Sequence, residues 1–443
     1  MVRMETIVAS ATAPLKSALA IIRVCGDDAF SLTAKLFEKP LNVAEKPQIR
    51  HGKLVFRGKD IDDVMVFCYP ACCSSNGEDM VEITCHGSPL IANEIIEAYL
   101  SLGARMASNG EFSARAFYHG KLDLVQAEAI NDLINATTKE SKNVALMSLS
   151  GKVRPLLDPL LEQIATALAS VEVGIDYPEY DDEESFTLND VERVCRELKP
   201  RVSALLEQGS QAQYVRNGVD VALVGEPNVG KSSLLNALLA EDKAIVSAIP
   251  GTTRDVVEGT LSIRGLPVRL YDTAGIHDTA DELERLGVER SKRILEKAEL
   301  ILWVRDASAP AQADEDLRAL LRDKKIIEIR NKSDLISEEI PGICYVSALS
   351  GDVDNVKDAI FDALHLSDDV FVTPALSSQR ELALLHQVES DLDEAIDLCN
   401  QGATVDLVSV PLQNAYNHMR QVLGLDPTQD YASEIFSRFC VGK

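Results

Sequence analysis

Gly225-Glu226-Pro227-Asn228-Val229-Gly230-Lys231-Ser232 follows an apolar run from Val219 to Val224 and precedes the helical Leu234-Leu235-Asn236-Ala237-Leu238. A glycine-rich loop between a strand and a helix can curl until successive N–H groups point at phosphate oxygens, and the helix N-terminus adds partial positive charge. The candidate phosphate contacts are therefore Asn228, Val229, Gly230, Lys231, Ser232 and Ser233, with Lys231 bridging the β- and γ-phosphates and the Ser232 hydroxyl on Mg²⁺.

Three further motifs follow in the order and spacing that chemistry on a nucleotide needs. Asp272-Thr273-Ala274-Gly275 comes after the strand Val268 to Tyr271. It fits an aspartate that holds Mg²⁺ through water and a glycine N–H that senses the γ-phosphate. Thr252 and Thr253 lie in the loop Gly251-Thr252-Thr253-Arg254-Asp255 and supply a hydroxyl that completes the Mg²⁺ shell only while a triphosphate is bound, as a switch segment does. Base choice rests on Asn331-Lys332-Ser333-Asp334 after the strand Ile326 to Ile329. The Asp334 carboxylate can accept from the ring N–H and the exocyclic amine of guanine, whereas adenine turns a lone pair toward it. Ser347-Ala348 adds a backbone N–H for the guanine oxygen. These residues identify a GTP site. At the position where Ras-like proteins carry a water-orienting Gln the chain has Ile276, so the hydrolytic machinery must come from elsewhere.

The surrounding sequence reads as the scaffold for this loop. From Val219 to Leu364 strands and helices alternate, as in a doubly wound α/β domain. Residues 1–118 alternate short apolar runs with turn signals around one helical pattern, Leu90 to Leu102, and read as α+β. From Leu122 to Val173 the periodicity is helical; the Gly174 to Glu184 stretch is expected to break that helix, and a second helix is expected to stop at Gly209. Helical periodicity returns after Pro374, so the simplest account is one helical domain with the α/β domain inserted into it.

Bulk properties agree. The 443 residues suit two or three domains, and 46% hydrophobic with 26% charged residues is the soluble-globular average. No apolar run spans a bilayer, and an acid in the first five residues argues against a secretory signal, so the expectation is a cytoplasmic protein. The net charge of −26 argues against a chain that grips nucleic acid alone. Nine scattered cysteines without a CxxC pair suggest small buried hydrophobes in a reducing compartment. Cys440-Val441-Gly442-Lys443 has the outline of a prenylation box, but its last two residues do not fit one.

The chain resembles the MnmE (TrmE) family of tRNA-modification GTPases over almost its whole length. The resemblance is carried by Asn76-Gly77-Glu78-Asp79 through Glu82 to His86-Gly87, by Gly110-Glu111-Phe112-Ser113-Ala114-Arg115-Ala116-Phe117, by Gly120-Lys121-Leu122-Asp123-Leu124, by Gln126-Ala127-Glu128-Ala129, by Val173-Gly174-Ile175-Asp176-Tyr177-Pro178 and by Ile435-Phe436-Ser437-Arg438-Phe439-Cys440-Val441-Gly442-Lys443. It implies an N-terminal α+β folate-binding and dimerisation domain (1–118), a discontinuous α-helical domain (119–215 and 372–443) and an inserted Ras-like P-loop α/β G domain (216–371). It further implies a homodimer with transient G-domain dimerisation, and an FAD-dependent MnmG-type partner in a heterotetramer or larger assembly. The implied reaction is modification of carbon 5 of the wobble uridine in certain tRNAs, with 5-formyl- or 5,10-methylene-tetrahydrofolate as one-carbon donor.

Carried over residue by residue, the folate site uses Arg23, Glu82, Lys121 and Lys443, with Cys440 near it as structural element or participant. K⁺ is implied at Asn228, Ser247, Ile249 and Thr252, and Glu284 is implied as the catalytic glutamate. The sequence departs from the family at Pro14-Leu15-Lys16-Ser17-Ala18-Leu19-Ala20, where a glycine-rich loop is usual, a change that bears on the folate pocket. A ribosome-assembly GTPase of the Era or Der type is the alternative; it would bring a basic RNA-binding domain or a second G domain. A dynamin-like membrane GTPase would need an apolar tip or a polybasic segment, and neither is found.

Overall fold

A computed structural model describes residues 5–41, 46–176, 188–241, 259–272, 293–309, 324–336, 340–425, 436–437, 439 and 441–442. The chain divides into two compact units, Met1–Asn131 with Arg420–Lys443, and Asp132–Met419.

The first unit is built on a six-stranded sheet of order β3-β4-β5-β2-β1-β6. Its strands are β1 (Ile7–Ser10), β2 (Leu19–Cys25), β3 (Gln48–Phe56), β4 (Lys59–Tyr69), β5 (Met80–His86) and β6 (Arg105–Met106). All pairs are antiparallel except β1 with β6. Alternation along β2 and β5 sends Ile22, Val24, Val81 and Ile83 into one core with Leu32 of α1 (Ala29–Leu36) and Ile95 and Tyr99 of α2 (Pro89–Ser101). A separate cluster joins Ile7, Ala9, Cys25 and Met80 to Phe112 of α3 (Glu111–Tyr118). The C-terminal Phe436 and Phe439 pack on Ala127, a residue of α4 (Leu124–Asn135).

In the second unit a six-stranded sheet has the order β12-β11-β10-β7-β9-β8. It comprises β7 (Val219–Val224), β8 (Gly259–Ile263), β9 (Leu266–Asp272), β10 (Leu300–Asp306), β11 (Lys325–Asn331) and β12 (Cys344–Val346). Every pairing is parallel except β8 with β9. β7 sits between β10 and β9 and is buried at all its positions, so it reads as an apolar run interrupted only by Asp220, which pairs with Arg269. Among the helices of the sheet region are α8 (Lys231–Glu241) and, later in the chain, α9 (Asp354–Ala363).

The remaining helices are α5 (Lys139–Leu149), α6 (Arg154–Asp176), α7 (Leu188–Asn217), α10 (Gln379–Asn400) and α11 (Val405–Leu423). Apolar residues at helical spacing, among them Leu198 and Val202 of α7 and Leu385, Val388 and Leu392 of α10, are buried. Two sequence expectations are corrected. The first helix continues past Gly174 to Asp176 and carries Pro159 inside it. The second does not stop at Gly209 but runs to Asn217. Gly209 is buried because a Cβ there would lie 2.4 Å from Leu382 Cδ2 and 2.7 Å from the Leu376 carbonyl oxygen, so the glycine serves close packing rather than termination. At the end of α7 the Asn217 carbonyl accepts a 2.6 Å hydrogen bond from Arg269 Nη1, and Gly218, at φ +73°, turns the chain into β7. Among the described residues no helix is long and apolar enough to cross a membrane.

Candidate active site

The phosphate loop begins where β7 ends. Gly225 has φ +156°, and a Cβ there would lie 2.1 Å from the Val304 carbonyl oxygen of β10. Glycine is therefore required to let the loop leave the sheet. Asn228 adopts a left-handed conformation, φ 64°, and Gly230 follows at φ +93°, where a Cβ would lie 2.3 Å from Asn331 Nδ2. α8 starts directly afterwards at Lys231, so its unpaired N–H groups face the loop.

Lys231 is buried, and its Nζ donates to the carbonyls of Gly225 at 2.8 Å and Glu226 at 3.0 Å. Burial lowers the pKa of its ammonium, and the Asp272 carboxylate opposes that shift. A phosphate placed over the loop meets a preorganised cation whose hydrogen-bond acceptors among the described residues are two carbonyls. Ser232 Oγ donates to Asp272 Oδ2 at 2.8 Å, while Asp272 Oδ1 is buried with no hydrogen-bond partner among the described residues. An orphaned carboxylate oxygen beside a hydroxyl is a donor set that fits a hard divalent cation such as Mg²⁺. Ser233, on the first turn of α8, is exposed.

The residues expected from the sequence to read the base converge from β11 and β12. Asn331 is almost wholly buried; its Nδ2 donates to the Val229 carbonyl at 2.8 Å and its Oδ1 accepts from the Ala348 N–H at 3.1 Å. It thereby fastens the phosphate loop to the Ser347-Ala348 turn. Ser347 Oγ donates to Asp334 Oδ1 at 2.7 Å, which fixes that carboxylate. Lys332, at φ 66°, pairs through Nζ with Asp306 Oδ2 at 2.6 Å.

Asp306 was not singled out in the sequence. It closes β10 directly opposite Asn331, accepts from Ser308 N and Oγ on its other oxygen, and is held at a pKa of about 2, chiefly by the Lys332 hydrogen bond. The available signal is weak, an aspartate ending an apolar strand before a small-residue turn.

The structure thus brings Val229, Gly230, Lys231, Ser232, Asp272, Asn331, Lys332, Asp334, Ser347 and Ala348 together at the C-terminal ends of the parallel strands, where open α/β sheets bind ligands. Ser247, Ile249, Thr252, Thr253, Thr273, Ala274, Gly275, Ile276 and Glu284 lie outside the described residues.

In the first unit Arg23 and Glu82 stand opposite each other on β2 and β5, and their side chains are paired, Nη2 to Oε1 at 2.6 Å. Arg23 Nη1 also donates to the Gly442 carbonyl at 3.1 Å, and its guanidinium lies 5.6 Å from the centre of the Phe112 ring. The C-terminal segment is thus seated beside the two residues. A Cβ on Gly442 would lie 2.2 Å from the Ser10 carbonyl oxygen, so only glycine allows that approach. Cys440 and Lys443 themselves lie outside the described residues. Lys121 follows α3, and no described contact joins it to Arg23 or Glu82. The loop that departs from the family pattern is held by Ser17 N donating to the Gly87 carbonyl at 2.9 Å and Gly87 N donating to the Ala18 carbonyl at 3.2 Å, leaving Leu15 and Leu19 exposed.

Comparison with known families matches residues 6–121 to the N-terminus of the GTP-binding protein TrmE and residues 124–440 to the MnmE helical domain. The second match alone spans well over half the chain. The chain belongs to the MnmE family. A Ligilactobacillus salivarius relative, named tRNA modification GTPase MnmE, is 39% identical over 458 aligned residues, covering 99% of this chain and 98% of the relative. Relatives of the same name from Thermotoga maritima and Geobacillus thermodenitrificans are each 38% identical, and the alignments cover 99% and 100% of this chain and 100% of each relative. Among solved structures, Era of Aquifex aeolicus bound to GDP.AlF4- is 30% identical, covering 39% of this chain and 65% of that one at a TM-score of 0.28.

Proposed function

We propose that this chain is a K⁺-stimulated GTPase that, with an FAD-dependent MnmG-type partner, modifies carbon 5 of the wobble uridine of certain tRNAs, using a tetrahydrofolate one-carbon donor. As a member of the MnmE family the chain is a GTP hydrolase acting in tRNA modification. The observation that carries the reading is the junction at Asn331, which ties the phosphate loop to the turn beside the base-reading Asp334 within a chain that matches the family over both its N-terminal and helical parts.

Mg²⁺, when bound, would neutralise charge developing on the β- and γ-phosphates. Ser232 and Asp272 are the described residues that would hold it, with Thr253 as the switch ligand. Lys231 binds the same phosphates, and the α8 N-terminus orients them. Asp334 selects guanine over adenine. Asn228, with Ser247, Ile249 and Thr252, would supply oxygen ligands to K⁺, and Glu284 would orient the attacking water in place of the residue that Ile276 cannot provide.

The Arg23–Glu82 pair supports the folate assignment, because a guanidinium matches a ligand carboxylate and a glutamate can accept from the donor edge of a pterin. Lys121 and Lys443 complete the proposed site, and Cys440 is placed near it. The working assembly is a cytoplasmic homodimer through the N-terminal domain that joins its two G domains transiently.

The decisive experiment measures modified wobble uridine in tRNA from cells lacking the protein. Loss of the carboxymethylaminomethyl or aminomethyl group is expected, and unchanged modification would overturn the reading. Calorimetry tests the donor: a reduced folate should bind the wild type, and Arg23→Ala should weaken that binding while GTP affinity stays the same. Failure of the wild type to bind any reduced folate removes the donor from the proposal.

A further inference from the structure

The turn between β4 and β5 carries two adjacent thiols. Cys72 and Cys73 are both exposed, and their sulfurs lie 3.5 Å apart. The turn is fixed on either side of them. Cys73 N and Ser74 N donate to the Pro70 carbonyl at 2.8 and 2.9 Å, Ala71 N donates to Asp79 Oδ1 at 2.9 Å, and Gly77 N donates to Ser74 Oγ at 3.0 Å. Presenting both sulfurs on one side of a bonded turn removes most of the ordering cost of bringing them to a single ligand.

This pair departs from the sequence expectation that the cysteines are small buried hydrophobes. Cys25, Cys68, Cys85 and Cys195 meet it, being buried, with thiol pKa values that burial pushes up. At Cys73 the largest influence is instead its hydrogen bond with Cys72, which raises the pKa, while the positive charge of Lys121 acts in the opposite sense. One thiol donates its proton to a hydrogen bond with the other sulfur, and a thiophilic ligand bonded to both would replace the two S–H protons.

Two chemistries could join the sulfurs. A disulfide requires them to close to about 2.05 Å and prefers Cα atoms about 4.4–6.8 Å apart. Neighbouring Cα atoms across a trans peptide are only about 3.8 Å apart, and no described peptide bond is cis. A pyramidal trivalent atom bonded to both sulfurs bridges the observed gap as it stands, and a near-linear two-coordinate cation is reached by rotating the two side chains apart, in neither case moving the backbone. Among the described residues no group of three or more His, Cys, Asp and Glu side chains is placed to hold a metal, so a closed tetrahedral cage like that of structural zinc is not on offer.

We propose that Cys72 and Cys73 form a dithiolate site for one thiophilic centre that is satisfied by two sulfur ligands, of the class of trivalent organoarsenicals and soft monovalent d10 cations. With an arsenoxide, both thiol protons leave with the oxygen as water, two As–S bonds form, arsenic stays trivalent and neither sulfur is oxidised. The proposal does not rest on the nucleotide or folate readings, although Lys121, proposed for the folate site, also acts on Cys73.

The test treats the reduced full-length chain with one equivalent of phenylarsine oxide, and separately of Ag⁺ as a redox-inert stand-in for Cu⁺. Intact mass and counting of thiols reactive toward a disulfide reagent are the readouts. The expected result is one adduct per chain for at least one probe, with loss of two reactive thiols. Affinity should fall by about a hundredfold or more in both Cys72→Ser and Cys73→Ser, since each loses the chelate, and stay unchanged in Cys399→Ser and Cys440→Ser. Binding of phenylarsine oxide alone assigns the arsenical class, and binding of Ag⁺ alone assigns the d10 cation. An adduct that survives Cys72→Ser, or two wild-type thiols that titrate independently with neither probe retained, overturns the proposal.

Discussion

Asn331 fastens two loops that are far apart in the chain, and the residues beside it are those proposed to set base choice and affinity separately. Asp334 is positioned by Ser347 Oγ and keeps its remaining acceptor capacity for the base. Replacing it by Asn exchanges a carboxylate for an amide. Asp334→Asn is expected to move preference from GTP toward xanthosine triphosphate by on the order of a hundredfold or more, because a base whose donors meet a donor leaves polar groups unpaired. Competition binding with both nucleotides checks it, and undiminished selectivity for GTP refutes the assignment of Asp334. Asp306 belongs to a different class: it holds Lys332 and approaches the nucleotide only through it. Asp306→Ala should weaken GTP binding roughly tenfold without altering base preference, the scale of one lost charge-assisted hydrogen bond. A variant that binds GTP as tightly as the wild type would show that Lys332 needs no anchor.

At the level of elements, what was legible follows from how burial is distributed. β7 is buried along its length and announces itself as an apolar run, and the spacing in α10 marks its buried face without ambiguity. β3 is the edge strand of the first sheet, and its residues Ile49 to His51 are exposed, so no alternation marks it. Asp306 was unreadable because its partner lies across a register that only the folded sheet establishes.

Gly209 was misread as a stop because glycine has two uses in a helix, ending it and letting another chain approach, and local sequence does not distinguish them. Gly209→Ala should therefore destabilise the helical region by about 1–3 kcal/mol through overpacking against Leu382 and the Leu376 carbonyl. That outweighs the gain of about 1 kcal/mol from helix propensity. A raised urea midpoint in Gly209→Ala would contradict this.

Charge can be treated the same way at α3, whose first residue Glu111 accepts from Arg105, from Ser108 N and from Arg115. Burial pushes the Glu111 carboxyl up, but these donors together bring it down to about 2. Its unfolded value is about 4.3. The stabilisation is present above that value and is lost as pH falls from there through about 2. Glu111→Gln should lower stability near neutrality by on the order of 2 kcal/mol and flatten the acid limb of the stability profile in that window. An unchanged acid limb in denaturant titrations would remove Glu111 from the account.

For the whole molecule, the catalytic question is how a G domain with Ile276 in place of a water-orienting amide hydrolyses GTP. The described half of the site holds a phosphate loop, a hydroxyl-carboxylate pair suited to Mg²⁺ and the carboxylate proposed to read the base. It contains no acceptor assigned to the attacking water, so the proposed turnover depends on segments beyond it. The proposed acceptor is Glu284, an anion that the γ-phosphate repels in the ground state and that can act through a bridging water once charge is offset. In the proposal, a monovalent cation held by Asn228 and the loop containing Ser247, Ile249 and Thr252 would supply that offset between two joined G domains. Asn228 is exposed and already in a left-handed conformation at the rim of the phosphate loop, which leaves its side chain accessible to such an ion. Single-turnover hydrolysis is therefore expected to be much faster in KCl than in NaCl. Glu284→Ala should lose about two orders of magnitude or more in rate while keeping its GTP affinity, with Glu282→Ala close to the wild type. Because binding and chemistry are read separately, the outcomes divide cleanly. Equal rates in the two salts would remove the cation from the mechanism, and a normal rate in Glu284→Ala would assign the water-orienting role to another acceptor among His277, Asp278 and Asp281.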